Sequence, residues 1–250
     1  MARLDPALID LPGVQVRIIE RCASTNSLLM KEPGDGTVIL AAESQTAGRG
    51  RRGRRWHSTP GADLTFSLAV TLSRPSRDLA TLPLVAGVAV TRALRASGLA
   101  RAALKWPNDL MVDGAKVGGI LVETRVAALG TRCVIGIGIN CRHAPGLASR
   151  LRRPVACLEA YCAVDRNLLV RRIAQELLPA LQRFERLGFE AAQWEALDAH
   201  AGQRLRVRLA DGRTVSGIAC GVAPDGALCL RNRRGVQAVR SGRVVHARTA

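Results

Sequence analysis

The segment TAGRGRRGRRWHSTPG at residues 46–61 constrains the fold more than any other stretch of the chain. It contains the spacing G-x-G-x-x-G at Gly48, Gly50 and Gly53, which in dinucleotide-binding folds joins a parallel strand to a helix. Here Pro60-Gly61 prevents a helix from following. No acidic residue lies at the expected distance of about 20 residues. The segment therefore argues against a doubly wound parallel sheet.

The same segment indicates a binding site for an anion. Five arginines lie between Thr46 and Ser58, and they repel one another unless an anion is bound. The glycines between them allow backbone N–H groups to approach an anion closely. Trp56 is the one nearby aromatic residue, and nucleic-acid loops normally combine arginines with several stacking rings. A phosphate or carboxylate is therefore favoured over a nucleic-acid backbone.

The order of predicted elements favours an α+β fold with a mixed β-sheet and flanking helices. Strands and helices do not alternate regularly as in parallel α/β folds. After Gly202 the pattern changes to short strands separated by turns such as Asp211-Gly212, which predicts a small β-barrel. We therefore divide the chain into domains at 1–200 and 201–250. Strands are predicted at 14–20, 37–43, 64–72, 116–124 and 132–140, and helices at 24–32, 78–97 and 165–188.

Composition limits the classes of function. The net charge is +17, but only three of 37 basic residues are lysines, namely Lys31, Lys105 and Lys116. This bias towards arginine makes the charge weak evidence for nucleic acid and draws attention to the lysines that remain. Seven cysteines without a C-x-x-C spacing are typical of reduced core residues. No apolar run approaches the ~20 residues of a membrane span, and no signal peptide is apparent, so we expect a cytoplasmic protein without a membrane partner.

Three further segments carry candidate site residues. KWPNDL at 105–110 places a lysine and Asn108-Asp109 around a turn at Pro107. KVGGILVE at 116–123 begins a strand with Lys116, and its two glycines permit close backbone approach. GIGIN at 136–140 ends a strand with a polar residue.

Five segments, in this order, resemble the motifs of the biotin protein ligases, also called biotin–[acetyl-CoA-carboxylase] ligases. They are STN at 24–26, ESQTAGRGRRGRRW at 43–56, KWPNDL, KVGGILVE and GIGIN. The resemblance runs from about residue 14 to the end, and it implies a class II synthetase-like catalytic domain with an SH3-like C-terminal barrel. It also implies a two-step reaction. ATP and biotin form biotinyl-5′-AMP, and biotin then passes to a lysine of a biotin carboxyl carrier protein.

The resemblance assigns roles to individual residues. Lys116 and Arg51 are implied to be catalytic, and Asp109 is implied to hold Mg²⁺. The residues implied to bind biotin are Ser24, Thr25, Asn26, Gln45, Gly48, Arg49, Gly50, Arg51, Trp56, Lys116 and Gly119. Those implied to bind the nucleotide are Arg51, Arg54, Trp56, Lys105, Asn108, Asp109, Lys116 and Asn140.

Purely structural roles remain open for several of these residues. Ser24 could be only a helix cap, Trp56 could be core packing, and Asp109 could cap a turn. Two departures from the family pattern concern the nucleotide side. Asp63 stands where asparagine is frequent, and the segment at 152–160 lacks a tryptophan that some members stack on adenine.

Other functions and partners also remain open. A lipoate or octanoate ligase would share the fold and the adenylate chemistry. A nucleic-acid-binding module would use the ten arginines of the last fifty residues. The motif pattern begins near residue 14, which leaves no room for an N-terminal helix-turn-helix, so we expect no specific DNA binding. An edge strand of the large domain could pair in a homodimer or with the carrier protein.

Overall fold

The computed structural model describes residues 2–142 and 154–248, the last three by their backbone alone. The sequence predicts an irregular stretch at 141–164, and its residues 143–153 lie outside the described residues. Within the described ranges the chain forms two β-sheets and four α-helices.

The first sheet has seven strands in the order β1-β2-β3-β7-β6-β5-β4. Strand β1 runs parallel to β2, and every other neighbouring pair is antiparallel, so the predicted mixed sheet is confirmed. The strands are β1 Gln15–Cys22, β2 Val38–Gln45, β3 Leu64–Leu72, β4 Ala103–Lys105, β5 Asp109–Val112, β6 Ala115–Ala127 and β7 Gly130–Ile139.

The helices cover the two faces of this sheet unequally. They are α1 Thr25–Lys31, α2 Leu82–Ala96, α3 Arg166–Leu187 and α4 Ala191–Glu195. Helices α2 and α3 pack on each other over the large core, to which β2 contributes Ile39 and Ala41. The short α1 covers the opposite face, where Leu29 packs on Val38 and Leu40. Because successive strand residues point to opposite faces, the polar residues of β3 on the α1 side remain available for a site.

The long predicted helix at 78–97 begins with a 3₁₀ turn, Asp78–Thr81, and becomes α-helical only at Leu82. Pro83 lies at the start of α2, where its missing N–H costs no helical hydrogen bond. Asp78–Ala96 is long and apolar enough to cross a membrane, with a mean hydropathy of 1.4, and 72% of that window is buried inside the protein. Its apolar residues therefore serve the core between the sheet and α3.

The second sheet has five antiparallel strands in the order β11-β10-β9-β8-β12 and fits the predicted SH3-like domain. The strands are β8 Arg204–Arg208, β9 Thr214–Val222, β10 Leu228–Asn232, β11 Gly235–Val239 and β12 Arg243–Arg248. Hydrogen bonds join this part of the chain to the larger domain, and two of them lie away from the Gly-rich segment at 48–56. The Trp106 indole Nε1 donates to the Gly226 carbonyl at 3.0 Å, and the Val222 amide donates to Glu195 at 3.0 Å. The boundary at 200/201 stays a prediction.

Candidate active site

The N-terminus of α1 forms a buried polar corner on the open face of the sheet. The Ser24 hydroxyl caps the helix by accepting from the Ser27 amide. Ser24 therefore has the helix-capping role that the sequence left open. The Thr25 amide donates to Gln45 Oε1 at 2.8 Å, and the Thr25 hydroxyl lies 2.6 Å from the Ser67 hydroxyl. Ser67 in turn donates to Asn26 Oδ1 at 2.6 Å. The corner is thus a hydrogen-bonded network held between α1, β2 and β3.

Two glycines of β7 make room for this corner and for the tryptophan beside it. A Cβ atom on Gly136 would lie 2.3 Å from Asn26 Oδ1, and one on Gly138 would lie 2.4 Å from the Trp56 ring. In the sheet, Gly136 is paired with Ser67 on one side and Leu121 on the other. The glycines of the GIGIN motif are therefore required by close side-chain packing across the sheet.

Residues 48–56, which we call the Gly-Arg loop, fold back on themselves. The Gly50 amide donates to the Arg54 carbonyl at 2.7 Å, and the Trp56 amide donates to the Gly48 carbonyl at 2.9 Å. Arg52 adopts the left-handed conformation with φ of 55°, and its guanidinium donates to the Ser241 hydroxyl at 2.7 Å. The loop is therefore tied to the second sheet.

Lys116 and Asp109 form an ion pair across the β5–β6 hairpin. The lysine side chain is 13% exposed and the aspartate side chain 22%, so both groups are largely shielded from water. The ammonium lies over Gly119, where an added Cβ would be 3.0 Å from Nζ. Asn108 directly precedes β5, at the end of the hairpin away from its turn, and donates to the Ile120 carbonyl of β6 at 2.6 Å. These contacts fix a shielded cation at a defined position.

Two cavities meet at this cation. The first has a volume of about 290 Å³ and lies between α1, the Gly-Arg loop and strands β3, β6 and β7. The second has a volume of about 380 Å³ and lies between the Gly-Arg loop, the β4–β5 turn and β12. The residues that line both cavities, and so form a shared wall, are Arg51, Arg54, Asn108, Asp109, Lys116 and Arg243.

Most residues proposed from the sequence line one or both cavities. Those lining the first cavity alone are Ser24, Thr25, Asn26, Gln45, Arg49, Gly50, Trp56 and Gly119. Lys105 lines the second cavity alone. Gly48 lines neither, and a Cβ there would lie 2.7 Å from the Trp56 carbonyl, which gives this glycine a packing use in the loop.

Asn140 is placed differently from the other proposed nucleotide residues. It is 5% exposed and lines neither cavity, and its amide donates to the carbonyls of Lys116 at 3.3 Å and Ala156 at 3.0 Å. The amide therefore joins the start of β6 to the chain at residue 156. A role in an adenine pocket stays a prediction for this residue.

The electrostatics of the shared wall favour anions. Burial lowers the pKa of the Arg51 guanidinium, and the neighbouring Arg52 and Arg54 lower it further, whereas Asp109 raises it. An arriving phosphate or carboxylate would relieve the repulsion among these cations.

A buried acid, Asp63, directly precedes β3. Burial raises the pKa of Asp63 to about 6, although its carboxylate accepts from the amides of Thr59 at 2.8 Å and Cys141 at 3.2 Å. Asp63 therefore connects the chain beyond the Gly-Arg loop to the end of β7. It lines neither cavity.

Sequence reasoning missed several residues of the site. The additional residues lining the first cavity are Arg55, His57, Thr65, Phe66, Ile120, Leu121, Gly136, Ile137, Gly138 and Arg243. The alternation of β3 and β7 could have indicated Thr65, Gly136 and Gly138, because they lie on one face. No local signal could have indicated Arg243, which comes from the second sheet.

Comparisons with known proteins agree with this architecture. The family model described as "Biotin/lipoate A/B protein ligase family" matches residues 18–140, and that described as "Biotin protein ligase C terminal domain" matches residues 200–247. The biotin–[acetyl-CoA-carboxylase] ligase of Mycobacterium tuberculosis is 34% identical over 94% of this chain and 90% of its own length. The bifunctional ligase/repressor BirA of Escherichia coli is 35% identical over 88% of this chain and 70% of its own length.

A solved structure extends the agreement to the fold. The biotin protein ligase from Aquifex aeolicus in complex with biotin and ATP superposes with a TM-score of 0.79 at 26% identity, over 94% of this chain and 99% of that one. The mixed sheet, the Gly-Arg loop and the C-terminal sheet thus define a ligase of the biotin/lipoate class. Within that class, the chain belongs to the biotin protein ligase family.

Proposed function

We propose that this protein activates biotin with ATP to biotinyl-5′-AMP and then transfers biotin to a lysine of a biotin carboxyl carrier protein in the cytoplasm. The observation that carries the proposal is the pair of cavities that share a wall containing Lys116, Arg51 and Arg54. A reaction that joins a carboxylate to a phosphate needs two binding sites that meet at fixed cations. The named relatives and the Aquifex complex support the choice of substrates.

The first cavity suits biotin. Its inner end is the polar corner of Thr25, Asn26 and Gln45, which can exchange hydrogen bonds with the ureido group. It is also lined by apolar groups such as Trp56 and Leu121, which suit the ring sulfur and the alkyl chain. A molecule oriented in this way has its carboxylate at the Lys116 end.

The second cavity suits the nucleotide. Its walls include Lys105 and Arg52 in addition to the shared cations, of which Arg243 is one, so it can accept several phosphate charges. Pro107, on the β4–β5 turn, adds an apolar group to this cavity. The α-phosphate of an ATP bound here would lie against the shared wall.

The adenylation step follows from this arrangement. A carboxylate oxygen of biotin attacks the α-phosphorus, and the bond from that phosphorus to the bridging oxygen breaks, so that pyrophosphate leaves with the electron pair. Lys116 offsets repulsion between the two anions and stabilises the charge that develops on the phosphate oxygens. In the second step, an amine of the carrier protein attacks the carbonyl carbon of the mixed anhydride and AMP leaves. The Gly-Arg loop covers the first cavity and would keep water from the anhydride.

The donor set at the shared wall fits Mg²⁺ held mainly by the nucleotide. Mg²⁺ at such sites takes one or two carboxylates together with substrate phosphates. Asp109 is a carboxylate that lines both cavities, and among the described residues no cluster of three His, Cys, Asp or Glu side chains could hold a metal by itself. We propose that Asp109 exchanges part of its contact with Lys116 for the metal. Bound Mg²⁺ would neutralise phosphate charge during adenylation.

The experiment is a substrate comparison with mass spectrometry as the second readout. With ATP and Mg²⁺ present, the enzyme should release pyrophosphate only when biotin is added. Lipoate or octanoate in place of biotin should give no release. A biotin carboxyl carrier protein should gain one biotin on one lysine in the complete mixture, and a carrier with that lysine replaced by arginine should gain none. Equal pyrophosphate release with lipoate would contradict the choice of biotin.

A further inference from the structure

We propose that Glu123, on β6, is a positioning residue that holds the Gly-Arg loop and α1 together over the first cavity. The proposal rests on the function proposed above, since it concerns how the biotin end of that site is kept in place. Glu123 lines neither cavity, so it would act through the residues that it contacts.

The two carboxylate oxygens of Glu123 have separate partners. Oε1 lies 3.0 Å from Arg49 Nη2, in the Gly-Arg loop, and Oε2 accepts from Asn26 Nδ2 at 3.0 Å, in α1. The Glu123 side chain is 21% exposed, so these charge-assisted contacts are partly shielded from water. One side chain of the sheet thus connects two elements that are far apart in sequence.

The contact with Asn26 completes the hydrogen bonds of a buried amide. Asn26 is 3% exposed, and its Oδ1 is already used by the Ser67 hydroxyl. Its Nδ2 donates to Glu123 and, at 3.3 Å, to the Leu121 carbonyl. Because a buried amide without partners is costly, Glu123 helps to fix the orientation in which Asn26 faces the cavity.

The contact with Arg49 supplies opposite charge to a loop that contains five arginines. The Arg49 guanidinium also donates to the Ser27 hydroxyl at 3.3 Å, so it is held by both β6 and α1. Arg49 and the next residue, Gly50, both line the first cavity. Glu123 therefore fixes the part of the loop that covers the biotin end, before any anionic ligand arrives.

Replacement of Glu123 by glutamine tests this role with a minimal change of shape. A carboxylate accepts from both partners, whereas the glutamine amide has one oxygen and one NH₂ group. In Glu123→Gln, either Arg49 or Asn26 therefore meets a donor instead of an acceptor. We expect biotinyl-5′-AMP to dissociate roughly fivefold faster, a value below the full effect of a charged hydrogen bond because Arg49 is half-exposed. The KM for ATP should stay unchanged, since Glu123 lies away from the second cavity.

The dissociation rate is measured by chasing labelled biotinyl-5′-AMP, preformed on the enzyme, with unlabelled biotin and ATP. Arg49→Ala removes the same contact from the loop side, and because Arg49 also lines the first cavity, its effect is an upper limit for that contact. If Arg49 and Glu123 act through their contact, the double variant Arg49→Ala/Glu123→Gln should dissociate the adenylate only slightly faster than Arg49→Ala alone. The remaining difference in rate reports the contact of Glu123 with Asn26. Glu32→Gln is the matched control, because it breaks the Arg17–Glu32 ion pair of 2.5 Å outside both cavities.

Each outcome decides between the two proposals. Adenylate retention at the parental rate in either single variant would overturn the role of Glu123. Fully additive effects of the two substitutions, or an equal loss in Glu32→Gln, would also overturn it, because a general loss of stability would then suffice. A parent enzyme that forms no biotinyl-5′-AMP from biotin and ATP would overturn the proposed function itself, and this inference with it.

Discussion

At the scale of single residues, the position of Lys116 is the central feature of the site. Its ammonium is shielded, paired with Asp109 and placed over Gly119, where an added Cβ would be 3.0 Å from Nζ. Lysine presents a compact point charge, whereas arginine presents a wider planar group. The identity of the residue should therefore matter as much as its charge.

Lys116→Arg should slow formation of biotinyl-5′-AMP by about 10²–10³-fold, the usual effect of losing one preorganised donor. The guanidinium keeps the charge, but it is wider and reaches further than the ammonium, so it would misplace the α-phosphate. Single-turnover measurement of each half-reaction checks this, and transfer from supplied biotinyl-5′-AMP should be affected much less. Lys31→Arg, in the exposed last turn of α1, should behave like the parent. Adenylation by Lys116→Arg at the parental rate would make Lys116 a structural residue of the strand.

Asp63 should make the stability of the protein depend on pH. Its pKa in the folded state is raised to about 6, so the folded protein binds a proton more tightly than the unfolded chain does. This group should therefore lower the free energy of unfolding as the pH rises from about 4 to 6, by on the order of 3 kcal/mol in total.

The measurement is urea unfolding of the parent and Asp63→Asn between pH 4 and 7. Asparagine cannot ionise, so the difference in stability between the two proteins should change in favour of Asp63→Asn as the pH rises. Burial also raises the pKa of Asp198 to about 6 and lowers that of His200 to about 4. Because both proteins contain these groups, the difference between their free energies of unfolding isolates the contribution of Asp63. A difference that is constant with pH would contradict the raised pKa of Asp63.

At the scale of elements, the site depends on the register of β3, β7 and β6. Two rows of paired residues cross β3, β7 and β6, namely Thr65–Gly138–Gly119 and Ser67–Gly136–Leu121. In both rows the residue of the middle strand, β7, is a glycine. The middle strand can therefore accept Asn26 from α1 and Trp56 from the Gly-Arg loop directly on its backbone.

Gly138→Ala should weaken biotin binding at least tenfold, because the new methyl group would lie 2.4 Å from the Trp56 ring and displace it. Isothermal titration calorimetry with biotin alone measures this effect without ATP. Gly36→Ala is the matched control, since a Cβ there has no atom within 4 Å. Unchanged biotin affinity in Gly138→Ala would show that the position of Trp56 does not shape the cavity.

At the scale of the whole molecule, the second sheet completes the site of the first. Arg243, at the start of β12, lines both cavities, and Ser241 accepts a hydrogen bond from Arg52 of the Gly-Arg loop. Trp106, beside the second cavity, donates to the Gly226 carbonyl. The C-terminal domain therefore contributes a cation to the shared wall and a contact to the loop above it.

Arg243→Ala should raise the KM for ATP about tenfold, since a phosphate in the second cavity would lose one charged donor. The affinity for biotin measured without ATP should change less, because the carboxylate still meets Lys116 and Arg51. Arg240→Ala is the control: this arginine pairs with Asp225 and is 75% exposed outside both cavities. Equal effects of the two substitutions on the KM for ATP would contradict a direct role for Arg243.

The sequence by itself determined the class of fold and the segments that build the site. Apolar periodicity predicted the strands and long helices, and Pro60-Gly61 after the glycines excluded a dinucleotide-binding sheet. Ser24 marked the start of α1, since capping depends on neighbouring residues alone. The segments containing Lys116 and Arg51 were noticed through their glycines and charged residues, and the resemblance to the ligase family assigned their roles.

Only the tertiary structure decided which side chains meet. Glu123 and Arg49 are brought together by strand register and loop closure, and Arg243 reaches the site because two domains pack together. Asn140 looked equally suited to the site in sequence, yet its amide is turned towards the backbone of residues 116 and 156. These placements depend on contacts between residues far apart in the chain and on the burial of individual groups. Periodicity and spacing describe neither, because they report only the face on which a residue lies and not its partner across the fold.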